Sequence, residues 1–96
     1  MIIYEVNLII EKETVSSFIK WLELHIEKML EFKGFCSANL LRELEETYSV
    51  QYCVDSMDDL NHYFEKYSEK MRNEGLALFE NKFKASRRII EVLKKY

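Results

Sequence analysis

Residues 36–54, CSANLLRELEETYSVQYCV, contain two runs of alternating apolar and polar side chains separated by the acidic pair Glu45 and Glu46. Successive side chains of a β-strand point to opposite faces. Cys36, Ala38, Leu40 and Leu44 therefore share one face of a strand over 36–44, and Tyr48, Val50, Tyr52 and Val54 share one face of a strand over 48–54. A three-residue connection at Glu45, Glu46 and Thr47 sets Leu44 opposite Tyr48, Leu40 opposite Tyr52 and Ala38 opposite Val54, apolar face on apolar face, whereas a two-residue loop mismatches them. The stretch predicts a β-hairpin, strands two and three of the fold. In this register Cys36 and Cys53 point to opposite faces. They also lack metal-ligand spacing, so both are expected to be reduced, buried thiols and not a disulfide.

Upstream, residues 2–10 alternate in the same way, with Ile2, Tyr4, Val6, Leu8 and Ile10 on one face and Ile3, Glu5, Asn7 and Ile9 on the other. From Thr14, a suitable N-cap, apolar residues recur at Val15, Phe18, Ile19, Leu22, Ile26, Met29 and Leu30, which predicts a helix running to about Phe32. Lys33, Gly34 and Phe35 then turn the chain. Downstream, Ser56 followed by Asp59 is a cap signature, and Leu60, Tyr63, Phe64, Tyr67 and Met71 repeat at helical spacing. Gly75 is expected to end or bend this second helix, with a further short turn at Leu76, Leu78 and Phe79 before a fourth strand over 82–93. The order strand, helix, strand, strand, helix, strand predicts an α+β, ferredoxin-like βαββαβ fold: a four-stranded antiparallel sheet with two helices on one face.

Length and composition agree with a single domain over residues 1–96. The chain has no proline, two glycines and 48% hydrophobic residues, the balance of a folded domain and not of a linker. Glu5 and Asn7 interrupt the apolar start, which reads as a strand and not as a signal peptide, and no run approaches the ~20 apolar residues that span a bilayer. A soluble, cytoplasmic protein with no membrane partner is expected. A net charge of −3 argues against a nucleic-acid partner. Lys82, Lys84, Arg87, Arg88, Lys94 and Lys95 form a local basic cluster, read as the guard of an edge strand.

Five segments carry a family resemblance: MIIYEVNL at 1–8, the helix piece from Trp21 to His25, FCSANLLRE at 35–43, YSVQYCVDS at 48–56 and RNEGLALFENKFKAS at 72–86. With these the chain resembles a small bacterial family of unknown function in the dimeric α/β-barrel superfamily, related to the antibiotic-biosynthesis-monooxygenase domains. Where such relatives often carry a proline soon after the helix histidine, this chain has Ile26 and Glu27. The resemblance implies a homodimer whose two sheets face each other to close a barrel, and it implies no particular reaction. The residues also suggest a partner, because the second sheet face mixes Ile3, Ile9 and Leu41 with Glu5, Asn7, Asn39, Gln51 and Cys53, a composition suited to a partly wet interface.

His25 is the one candidate catalytic residue. It lies beside the buried stripe of the first helix with Trp21, Phe18 and Phe32, and an imidazole there can act as a general base or hydrogen-bond to a small ligand. Tyr4, Tyr52 and Arg87 are candidate ligand-binding residues with Trp21 and His25, provided they reach the same cleft. The preferred reading, since one histidine without a partner is a poor catalytic signal, is that Trp21 and Phe32 extend the core and His25 sits half exposed at its rim. Arg87 and Arg88 adjoin on a strand and must face opposite ways. His62 falls opposite the second helix's apolar stripe and is expected to be solvated. Two histidines and two separated cysteines make no metal cluster, no glycine-rich phosphate loop is present, and no cofactor is expected.

Two functions follow. The preferred one is a non-catalytic module that works by self-association or by binding another protein, since no catalytic constellation is visible. The alternative is a small-molecule-binding protein or cofactor-independent enzyme, an oxygenase or isomerase, using the cleft near Trp21 and His25.

Overall fold

Strand β1 (Ile2–Ile10) is the centre on which the sheet is built. It pairs antiparallel with β3 (Thr47–Val54) on one side and with β4 (Phe83–Glu91) on the other, and β2 (Phe35–Leu44) closes the far edge beyond β3. The order β2-β3-β1-β4 is the ferredoxin-like topology expected from the element sequence. The computed structural model describes residues 1–96. No helix is long and apolar enough to cross a membrane.

The alternation in β1 and β3 decides which sheet face is covered. Ile2, Tyr4, Leu8 and Ile10 of β1 and Tyr48, Val50, Tyr52 and Val54 of β3 are buried together. Helix α1 (Val15–Met29) buries Phe18, Leu22 and Met29 against them, a single stripe at helical spacing. Ser56 caps the next helix as its sequence signature predicts, its hydroxyl accepting the backbone N–H of Asp59 at 3.2 Å.

The structure has three helices where two were expected. The second helical segment divides at Tyr67 into α2 (Met57–Lys66) and α3 (Ser68–Phe79). Buried Ser68 gives the reason: its hydroxyl donates to the Phe64 carbonyl one turn back at 3.1 Å, a side-chain bond that competes with the helix backbone and bends it. Gly75 neither ends nor bends the helix. It lies within α3, buried, because a side chain there would meet the Trp21 ring, with a Cβ only 2.9 Å from Cη2. Gly34, with φ +86°, makes the turn before β2, and any Cβ there would collide with Asp59.

The hairpin also differs from its expected register. Only Glu45 and Glu46 lie between β2 and β3, and Ala38 pairs with Tyr52, Leu40 with Val50 and Arg42 with Tyr48. The mismatch expected of a two-residue loop is absorbed by an irregularity between Arg42 and Leu44, which inserts a residue and restores face parity. A second irregularity between Phe35 and Ser37 contains Cys36, which is exposed and not buried. Its thiol donates to Asp55 Oδ1 at 2.8 Å, and that carboxylate pushes the thiol up to about 11. Both cysteines are free. The fourth strand stops at Glu91, short of the expected 93, and α1 stops at Met29, short of Phe32, after a 3-10 turn over Lys12–Thr14 in which the Thr14 side chain makes no cap bond.

Candidate functional site

Trp21 and His25 stand one helical turn apart on α1, so both project from the same side of the helix. Their rings stack with centroids 4.6 Å apart and an interplanar angle of 26°. The indole is held by Phe18 of the same helix and by Phe79 of α3, at 5.5 and 5.8 Å between centroids, and Gly75 leaves the space it fills. Beneath this pair, between α1, α3 and the sheet, lies a cavity of about 50 Å³.

Strand parity brings further polar groups to the same place. Arg87 pairs with Val6 and so points to the helix side, whereas Arg88 pairs with Glu5 and points to the open sheet face. Tyr4 and Tyr52 stack at 6.0 Å on the helix side. The five residues expected from the sequence, Trp21, His25, Tyr4, Tyr52 and Arg87, all border this one cavity. Among the other residues that line it, Tyr63 of α2 and Arg72 and Gly75 of α3 were not singled out as site residues from the sequence. His62 is exposed on α2 and takes no part, as its helix position predicts.

The electrostatics of the walls follow from burial. The His25 imidazole is held down to about 4, chiefly because burial disfavours its cationic form; Glu74 pulls the other way, while Lys28 and Arg87 reinforce the fall. At neutral pH it is uncharged, and its buried Nδ1 has no hydrogen-bond partner. Burial raises Tyr4, with Arg87 and Arg72 partly offsetting it, and pushes Tyr52 and Tyr63 well above the usual phenol range. The cavity thus offers a neutral imidazole with a free ring nitrogen, three protonated phenols and an apolar lining of Leu, Met, Phe and Val side chains. Such a set can orient a small molecule and exchange one proton with it. No group of three or more His, Cys, Asp and Glu side chains is placed to hold a metal ion.

On the opposite sheet face Glu5 is buried at the centre of a separate polar network. Arg88, Gln51 and Asn7 all donate to its carboxylate, the last two at 2.9 and 3.0 Å. These donors, Arg88 first, hold the carboxyl down to about 2. The network lies outside the cavity.

A family model described as "Domain of unknown function (DUF4286)" matches residues 1–93. No curated protein matches the chain. Among solved structures, a point mutant of SnoaB, a cofactor-independent oxygenase from Streptomyces nogalater, superposes with a TM-score of 0.76 at 12% identity over 98% of this chain and 95% of that one. An antibiotic biosynthesis monooxygenase gives a TM-score of 0.76 at 8% identity over 98% and 100% of the two chains. A conserved protein from Methanosarcina mazei gives 0.71 at 18% identity over 94% and 91%. These likenesses establish a shared fold. They also correct the preference for a non-catalytic self-association or interaction module. That preference rested on the lack of a local catalytic motif, but this is a fold that named oxygenases use, and here the chemical groups come together from separate elements.

Proposed function

We propose that this chain, which belongs to the DUF4286 family, binds a small organic molecule in the cavity under Trp21 and His25 and acts on it as an enzyme of the cofactor-independent oxygenase or isomerase class. The observation that carries this reading is the Nδ1 of His25, buried and without a partner at the cavity wall. A buried polar atom left unpaired costs about 1–3 kcal/mol, a cost that a bound molecule donating to Nδ1 would remove. Reactions of this class begin by taking a proton from an acidic C–H or O–H group. A neutral imidazole can accept that proton where the anion left beside it offsets the burial that otherwise disfavours the cation, and Tyr4, Tyr52 and Tyr63 can donate hydrogen bonds to the oxygen on which charge develops. The test is turnover of a small carbon acid, followed by oxygen uptake or product formation. His25→Gln should lower it by ~10²–10⁴-fold while thermal unfolding is unchanged. Undiminished turnover in the folded variant overturns the reading.

The same proposal includes assembly as a homodimer in which two sheets face each other and close a barrel. The sheet face away from the helices supports it: Ile9 is 58% and Leu41 40% exposed there, beside the Glu5 network. A mixed apolar and polar surface of this kind is what an interface buries. Sedimentation velocity should give a dimer at micromolar concentration, and a monomer there contradicts the barrel.

A further inference from the structure

Three residues lie at the junction between the cavity and a groove on the surface outside it: Tyr4, Arg72 and Arg87 line both. The two arginines come from different elements, α3 and β4, and reach the same mouth. Neither is engaged elsewhere by a carboxylate. The ion pairs of the fold join Lys28 to Glu74, Lys82 to Glu11 and Arg88 to Glu5, and none takes up Arg72 or Arg87. The one side-chain bond Arg72 makes is a 3.3 Å contact to the Ser68 hydroxyl, which leaves most of its donors free. In a chain of net charge −3, two guanidinium groups with no carboxylate partner at the entrance to an apolar, aromatic-walled cavity stand out.

We infer that the cavity takes a small organic carboxylate, its acid group held between Arg72 and Arg87 at the mouth and its apolar body directed inward past Tyr4 toward Trp21 and His25. The planar guanidinium presents paired N–H donors that match the two carboxylate oxygens, and the protonated Tyr4 hydroxyl can add a third donor. The groove also carries Arg88, which is taken up by Glu5, together with Phe64 and Ile89, so the surface around the acid group is part cationic and part apolar. This inference rests on the reading of the cavity as a ligand site and adds the charge of what enters it.

Propionate and its uncharged isostere propionamide, whose two-carbon tails suit a cavity of about 50 Å³, are the probes, titrated into the full chain by two-dimensional NMR. Propionate is expected to shift cavity signals, including the Trp21 indole, and to bind about tenfold more tightly than propionamide. Arg87→Gln and, independently, Arg72→Gln should each weaken propionate by about tenfold and propionamide by less. Equal binding of the two probes to the wild-type chain overturns the inference without needing either variant to fold, and leaves the ligand-site reading standing. If neither probe moves a cavity signal, both the inference and the reading beneath it fail.

Discussion

The Trp21 indole lies stacked on the His25 imidazole, 4.6 Å between centroids, and the far edge of the same indole stands against the bare backbone of Gly75 on α3. One aromatic side chain therefore fixes both the orientation of the histidine and the approach of two helices. Because Trp21 is the sole tryptophan, its fluorescence reports this contact directly.

Gly75→Ala should destabilise the protein although alanine is the better helix former by about 1 kcal/mol. The added Cβ would come within 2.9 Å of the indole and force it aside, and such overpacking costs ~1–3 kcal/mol. Urea unfolding should show a net loss, accompanied by a shift in tryptophan emission. A gain in stability with unchanged emission would mean that the ring is free to move.

The His25 imidazole should titrate near 4 and not near its ordinary 6.5. Between those values the unfolded chain binds a proton that the folded chain refuses, so stability falls as pH drops from about 6.5 toward 4. The groups that face the ring are Glu74 of α3, Lys28 of α1 and Arg87 of β4. NMR titration of the ring protons checks the midpoint, and a midpoint near 6.5 would show the imidazole to be well solvated.

Glu5 should govern a different and more acidic window. Its folded carboxyl is held down to about 2 against an ordinary 4.5, so its contribution is complete above about 4.5 and disappears as pH falls toward 2. In Glu5→Gln the loss of stability over that interval should be smaller than in the wild type. Equal acid sensitivity of the two proteins would remove the network from the account.

Leu22→Ala should cost ~2–5 kcal/mol, since Leu22 is buried in the α1 stripe against the sheet. Phe64, only partly buried at the edge of the core, should lose less on truncation. Chemical denaturation of both variants gives the order, and a larger loss at Phe64 would reverse the packing described here.

Face parity was legible because the period of a strand is fixed at two, and so Tyr4 and Tyr52 could be placed on the helix side before their strands were paired, whereas Arg87 and Arg88 could only be set on opposite faces until the pairing of Arg87 with Val6 fixed which was which. Register was not, because the irregularities at Cys36 and between Arg42 and Leu44 insert residues that no alternation pattern announces. The break at Tyr67 hid for a related reason: it depends on one serine hydroxyl finding a carbonyl one turn back. That break sets the rotation of α3, and with it the positions of Arg72 and Gly75, which sequence reasoning missed along with Tyr63 of α2. The signal that was present was a glycine inside an otherwise helical pattern, which asks for a close neighbour as readily as for a helix end.

Occupation of the cavity under Trp21 and His25 by a small molecule is tested most directly by a ligand screen on the wild-type protein read through the Trp21 indole N–H and the His25 ring signals. The expected result is that bound compounds move both signals together and that His25→Gln weakens them in a chain that still folds. Compounds that bind while leaving both signals unmoved would place the functional surface elsewhere and contradict the account.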